Sequence, residues 1–239
     1  MSPKRTRRSP LLVLANWRKF LRPMRQEYRD RWNMSLLDWL HYHHENVAFK
    51  DSYWMGVRAL KNPMDAWIYQ EILHEVKPDF VIEIGANEGG STLYFAHLLD
   101  LLGKGHVISI DIDRSRYHVE HPRIIVLTGD SGSPEMAARV SGLCRGQSVL
   151  LVHDGDHRKP AVLRDLRNYA PLVPVGSYVI VEDGIVDLFR AKDGIGSIED
   201  GPLAAVEEFL RDNPGFEVDP RRERYLLTYN PHGFLKRCR

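Results

Sequence analysis

The chain has 239 residues, 43% hydrophobic and 27% charged, with a formal net charge of +1, which suits one full-sized core and excludes fibrous or disordered classes. No apolar run approaches the roughly 18 residues needed to cross a bilayer. The only two cysteines, Cys144 and Cys238, exclude a disulfide framework, so a reduced, cytoplasmic protein with no transmembrane segment is expected.

Residues 1–31 carry ten Lys and Arg against two acids, leaving 23 against 30 elsewhere. Such a basic head is a solvated arm or a contact for nucleic acid, anionic lipid or the acidic body of a partner subunit. A solvated arm is expected, with no nucleic-acid partner. Leu11 to Trp17 is too short and too closely flanked by arginines for a signal peptide. Helical patterning is plausible over 11–31 and 35–45, and clearer from Asp65 to Val76, where Trp67, Ile68, Ile72 and Leu73 share a face. The expected organisation is a basic helical extension over residues 1–50 and one domain over 51–239.

From Asp79 onward, β-rich apolar runs at 80–84, 107–110, 124–127, 149–152 and 178–181 alternate with helix-length segments at 91–102, 134–140 and 161–170. That alternation predicts an α/β fold whose parallel sheet is covered by helices on both faces. A last pair of runs, 216–218 and 225–229, reads as an antiparallel C-terminal hairpin at the sheet edge.

The first of these runs opens into Glu83-Ile84-Gly85-Ala86-Asn87-Glu88-Gly89-Gly90-Ser91, a strand, a glycine-rich turn and a helix start, which brings free backbone N–H groups to one crevice. The glycines at 85, 89 and 90 do not have dinucleotide G-x-G-x-x-G spacing. The pattern resembles the first motif of class I S-adenosylmethionine-dependent methyltransferases. Glu83, Gly85, Asn87, Gly89 and Ser91 are therefore the expected cofactor loop, with Asp111 on the ribose hydroxyls and Asp130 and Ser131 beside adenine. Asp130 and Ser131 also suit an ordinary turn and helix cap.

Two further strand ends are acidic: Val152-His153-Asp154-Gly155-Asp156-His157 and Val181-Glu182-Asp183. If these strands are neighbours, their tips lie about 5 Å apart. Asp154, Glu182 and Asp183 then share one hard divalent cation, because three clustered carboxylates without one repel each other. His157 faces the same pocket as candidate general base. Asp156 is assigned to helix capping and His153 to packing or support behind the site. His118 and His121 have no evident partner, while Trp54, Tyr69, Phe189 and Arg190 are candidates for an acceptor cleft, with core or surface positions as the alternative.

Trp54-Met55-Gly56-Val57, Lys61-Asn62-Pro63-Met64-Asp65, Tyr69-Gln70-Glu71, the glycine loop, Asp154-Gly155-Asp156-His157, Tyr169-Ala170-Pro171-Leu172-Val173, Val181-Glu182-Asp183 and Asn230-Pro231-His232-Gly233-Phe234-Leu235 together resemble the cephalosporin hydroxylase/rhamnosyl O-methyltransferase family. The resemblance implies a Rossmann-like class I methyltransferase fold with an N-terminal helical cap, S-adenosyl-L-methionine as methyl donor, and Mg2+ on Asp154, Glu182 and Asp183. It further implies His157 as base, a sugar or glycoside acceptor, homo-oligomerisation through the helical head, and a mobile loop over about 184–201. Two competing readings are a non-haem iron hydroxylase, which needs two histidines and a carboxylate, and a non-catalytic glycan-binding module.

Overall fold

The computed structural model describes residues 25–189 and 200–239. Its contacts divide the chain into a unit of Met1–His41 and a unit of Tyr42–Arg239. In the first, residues 25–31 are helical and α1 (Leu36–His43) begins; residues 11–24 of the expected head helix lie outside the described residues. The second unit opens with a π-helical turn, His44–Ala48, and a two-stranded ribbon of β1 (Tyr53–Trp54) and β2 (Val57–Arg58). None of the helices among the described residues is long and apolar enough to cross a membrane.

Helix α2 (Pro63–Val76) starts two residues before the expected Asp65 because Asn62 caps it: the Asn62 side chain accepts the Met64 N–H, and Pro63 follows at the first helical position. Then come β3 (Phe80–Ile84), α3 (Gly90–Leu102), β4 (His106–Asp111), β5 (Ile124–Thr128), α4 (Pro134–Leu143), β6 (Val149–His153), α5 (Lys159–Tyr169) and β7 (Tyr178–Val181). After them stand α6 (Pro202–Asp212), β8 (Phe216–Val218) and β9 (Phe234–Arg237). The sheet runs β5-β4-β3-β6-β7-β9-β8, parallel through β7 and antiparallel at β9 and β8. This is the mostly parallel sheet with an antiparallel C-terminal pair that the sequence implied.

Successive strand residues face opposite sides. Ile82, Ile84, Leu151 and Val179 pack with Val162 and Leu166 of α5 and Val206 of α6. Val81, Leu150, Val152 and Ile180 pack with Ile72 of α2 and Phe95 and Leu99 of α3. Each such fully buried side chain contributes on the order of 1.5–3 kcal/mol. Strand order reverses between β3 and β6, where open α/β sheets bind ligands beyond the strand ends.

One expected element is corrected. Residues 225–229 form no strand; the partner of β8 is β9, nine residues further on when counted from Tyr225 to Phe234. The backbone of the misassigned segment is claimed by the start of α2: Asn62 Nδ2 donates to the Leu227 carbonyl at 2.8 Å, and the Tyr229 N–H donates to Asp65 at 2.8 Å. Thr228 Oγ1 adds a third bond to Asp65 at 2.6 Å. The loop after β7 begins as a 3-10 turn, Gly184–Asp187, and its residues 190–199 lie outside the described residues.

Candidate active site

Register fixes the site. Ile84 of β3 pairs with Ile110 of β4 on one side and His153 of β6 on the other, and His153 pairs with Val181 of β7. The next residue of each strand is therefore Gly85, Asp111, Asp154 and Glu182, at one edge of the sheet. Gly85 has φ +86, and a β-carbon there would lie 1.9 Å from the Asp154 carbonyl oxygen; only glycine lets the two strand ends meet so closely.

A cleft of about 970 Å³ opens over this edge, lined by Gly85, Asn87, Ser91, Asp111, Asp130 and Ser131 at one end and by Asp154, His157 and Asp183 at the other. At the glycine end, Asp111 Oδ2 accepts the N–H groups of Ala86 and Asn87, both at 2.8 Å, which holds the turn open. Gly89 and Glu83 stand behind the lining. Fully buried Glu83 accepts the hydroxyls of Ser91 and Thr92, tying β3 to the first turn of α3. Burial raises the Glu83 pKa and those two hydrogen bonds oppose the rise.

Asp130 closes its own turn, accepting the Gly132 N–H at 2.9 Å, and pairs with Arg164 at 3.0 Å. Ser131 donates to Asp165 Oδ2 at 2.8 Å, and His153 Nε2 lies 3.1 Å from the same oxygen. His153 is thereby committed to a buried partner, Asp165, in the wall of the cleft. Asp165, which no sequence motif marks, joins the Ser131 loop to the β6 tip.

At the acidic end, the ligand atoms of Asp154, His157 and Asp183 lie within 4.8 Å of one another. His157 Nε2 is 2.9 Å from Asp183 Oδ2 and 3.8 Å from Asp154 Oδ1. Glu182 sits deeper: its Oε2 accepts from Lys61 Nζ at 2.7 Å, Lys61 also bonds Asp154 Oδ2, and Glu182 Oε1 is buried without a hydrogen-bond partner. Burial pushes the Asp154 and Glu182 carboxyls up, with Lys61 opposing in both. For Asp183 burial is outweighed by the His157 hydrogen bond, and its pKa falls. Burial would lower the His157 pKa, but the bond to Asp183 wins and raises it to about 9. Asp183 also adopts φ +57, a left-handed backbone unusual for a non-glycine residue. Its N–H donates to Asn230 Oδ1 at 3.0 Å, while Asn230 Nδ2 donates to the Tyr69 hydroxyl at 2.7 Å.

Several expected neighbours stay outside. Tyr69 and Phe189 are buried, and Trp54 packs edge-on against Tyr94 and donates to His97 at 3.0 Å; none lines the cleft, because each satisfies an internal apolar or polar neighbour. Arg190 lies outside the described residues. Asp156 caps no helix: the residue before α5 is Arg158, and Asp156 accepts that residue's backbone N–H at 3.0 Å to close the preceding turn. His121 has a partner after all, Asp100 at 3.0 Å. Lys61, Asn230 and Asp165 are the site-building residues to which sequence reasoning assigned no role; Lys61 and Asn230 fall inside motifs that carried the family resemblance, which was the available signal.

The grouped ligand atoms of Asp154, His157 and Asp183 suit a divalent cation such as magnesium; Glu182, the third expected carboxylate ligand, lies outside that group, with Oε1 buried and without a hydrogen-bond partner. An iron facial triad needs a second imidazole, and with His153 bonded to Asp165 the described residues present only His157.

The family model for Rhamnosyl O-methyltransferase/CmcI matches residues 46–238. The rhamnosyl O-methyltransferase of Mycobacterium leprae is 32% identical over 203 residues, spanning 82% of this chain and 87% of that one. Its Mycobacterium tuberculosis counterpart is 29% identical over 205 residues, 82% of each chain. Among solved structures, CmcI with Mg and SAM superposes over 100% of this chain and 89% of its own, at 21% identity and a TM-score of 0.62. MycE from the mycinamycin biosynthetic pathway, with Mg and SAH, covers 83% and 54% respectively, at 17% identity and a TM-score of 0.51. At these identities the structural likeness establishes the fold.

Proposed function

Because the chain belongs to the Rhamnosyl O-methyltransferase/CmcI family, we propose that it transfers a methyl group from S-adenosylmethionine to a hydroxyl of a sugar or glycoside, with one divalent cation, magnesium, at Asp154, Glu182 and Asp183. The observation that carries this reading is a single cleft whose two ends meet at the Gly85–Asp154 contact, a glycine-rich turn on one side and clustered carboxylates on the other. A methyl donor along the first and an acceptor hydroxyl at the second would be held within one enclosure, which removes most of the entropic cost of their encounter.

The chain's own residues divide the work. Gly85, Asn87 and Ser91 border the space for the methionine part of the donor, Asp111 the ribose, and Asp130 and Ser131 the adenine. Bound magnesium supplies Lewis acidity that makes a sugar hydroxyl easier to deprotonate. His157 is the group placed to take that proton. Its ring is held protonated by Asp183 when the carboxylate has no other charge to meet, so it accepts a proton only once Asp183 is engaged elsewhere. The rhamnosyl acceptor of the named relatives makes deoxysugar glycosides the first class to try. Assembly through the basic head, residues 1–50, belongs to the same proposal; a shorter chain starting at residue 51 is expected to run as a smaller species on gel filtration.

The test is methyl transfer from labelled S-adenosylmethionine to a panel of rhamnosides and related glycosides, with EDTA and with added Mg2+. Label incorporation that EDTA stops and Mg2+ restores supports the reading. A saturable donor isotherm with full transfer in metal-free buffer removes the cation, and no donor binding removes the enzyme class.

A further inference from the structure

Among the described residues, Lys61 is the only lysine or arginine paired with the carboxylates at the acidic end of the cleft. It arrives there on the loop between β2 and α2, directly after Leu60, which takes a left-handed φ of +48. A bulky residue in that region costs on the order of 1 kcal/mol and persists where surrounding structure over-determines it. The lysine side chain is 8% exposed, and its Nζ bonds one oxygen of each of two carboxylates, Asp154 Oδ2 and Glu182 Oε2. The other oxygens face differently: Asp154 Oδ1 looks toward His157 at 3.8 Å, and Glu182 Oε1 is buried without a partner.

Charge makes the arrangement specific. Ionised, as metal ligands must be, Asp154, Glu182 and Asp183 would bring three negative charges to the tips of β6 and β7. Lys61 offsets one, and a divalent ion would offset the remaining two, so the loaded site is neutral apart from His157. Buried carboxylates with no cation are costly, and removing the cationic partner of a buried ion pair leaves uncompensated charge.

Resting on the divalent-cation reading above, we propose that Lys61 is a positioning residue that serves as a resident cation: it reserves Asp154 Oδ1 and Glu182 Oε1 for the ion by occupying their sister oxygens, and it holds the two strand tips together when the ion is absent. A lysine with a purely structural role would support the fold equally in both states. A resident cation matters most when the divalent ion is missing, because the ion can replace its charge.

The experiment uses the full chain, with Lys61→Met, Lys61→Gln and Lys61→Arg, and Mn2+ as probe. Melting is followed in EDTA and in saturating Mn2+, and affinity is read from the electron paramagnetic resonance signal of free Mn2+. In EDTA the Met and Gln variants should melt well below wild type and the Arg variant close to it. Mn2+ should recover most of that loss, so the metal-induced shift is larger in the two uncharged variants and their Mn2+ affinity higher by about tenfold or more, since a buried like charge no longer opposes the ion. Equal metal-induced shifts in wild type and the uncharged variants overturn the proposal, as does an uncharged variant that stays unfolded even in Mn2+. A wild-type chain that binds no Mn2+ overturns the divalent-cation reading and the proposal with it, whereas Mn2+ binding that ignores residue 61 overturns the proposal alone.

Discussion

Asn230 Oδ1 accepts the backbone N–H of Asp183 at 3.0 Å, so a residue of the C-terminal segment fixes the left-handed backbone that turns Asp183 toward His157. Glu182 and Asp183 are adjacent in sequence yet serve different neighbours, Lys61 and His157, and this bond is what separates them.

Asn230→Ala removes that acceptor and the donor to the Tyr69 hydroxyl, both inside the protein. The expected cost is about 1–3 kcal/mol of stability, read from urea unfolding, together with weaker Mn2+ binding. Unchanged stability and affinity would show that Asp183 keeps its conformation unaided.

His157→Ala should lower methyl transfer by about 10²-fold or more while Mn2+ and S-adenosylmethionine affinities stay near wild type. His157 also lies within ligand distance of Asp154 and Asp183. A large loss of Mn2+ affinity in the variant would therefore reassign the ring from base to metal ligand.

Gly85→Ala places a β-carbon 1.9 Å from the Asp154 carbonyl oxygen, at a positive φ. The obstacle is the neighbouring strand end, not only a bound donor. The variant should lose stability and donor affinity together; a fully stable protein with normal affinity would mean that the β3 and β6 ends can part at little cost.

Asp79 gives a pH test of the scaffold away from the site. Its carboxylate accepts the backbone N–H and hydroxyl of Ser148, both at 2.9 Å, and meets Lys104 at 2.7 Å, fastening the start of β3 to the start of β6. The Lys104 hydrogen bond first, then that of Ser148, lower its pKa from 3.8 to about 2. A depressed folded-state pKa stabilises above the unfolded value and loses that contribution as pH falls through the folded one. The stability gap between wild type and Asp79→Asn should thus be full above pH 5 and close between about pH 4 and 2. A gap independent of pH would assign the effect to packing.

The parallel strands were legible because each is a short apolar run closed by polar residues, and the acids at their ends marked the ligand edge. β9 was not, since Phe234-Leu235-Lys236-Arg237 is half basic, whereas Tyr225-Leu226-Leu227-Thr228-Tyr229 has strand-like composition. What decided between them was the side chains of Asn62 and Asp65, far away in sequence, drawing the second segment into a loop. Lys61 was hidden for the same reason: its partners lie 93 and 121 residues further along the chain, and nothing local distinguishes it from a solvated lysine before a helix cap. The adjacency of Glu182 and Asp183 suggested one shared role, and the backbone turn at Asp183 divides it.

The bonds from Asn62 and Asp65 to residues 227–229 span 163 to 165 positions, and they have a bearing on biosynthesis. Contacts of such long sequence separation form late, after loop-closure entropy has been met by other structure. A chain emerging from the ribosome can pair β3 with β4 early, but Asp183 lacks its Asn230 anchor until 47 further residues have been made. The acidic pocket is therefore completed only after residue 230 has emerged, which delays the burial of its carboxylates until the parallel strands exist to hold them.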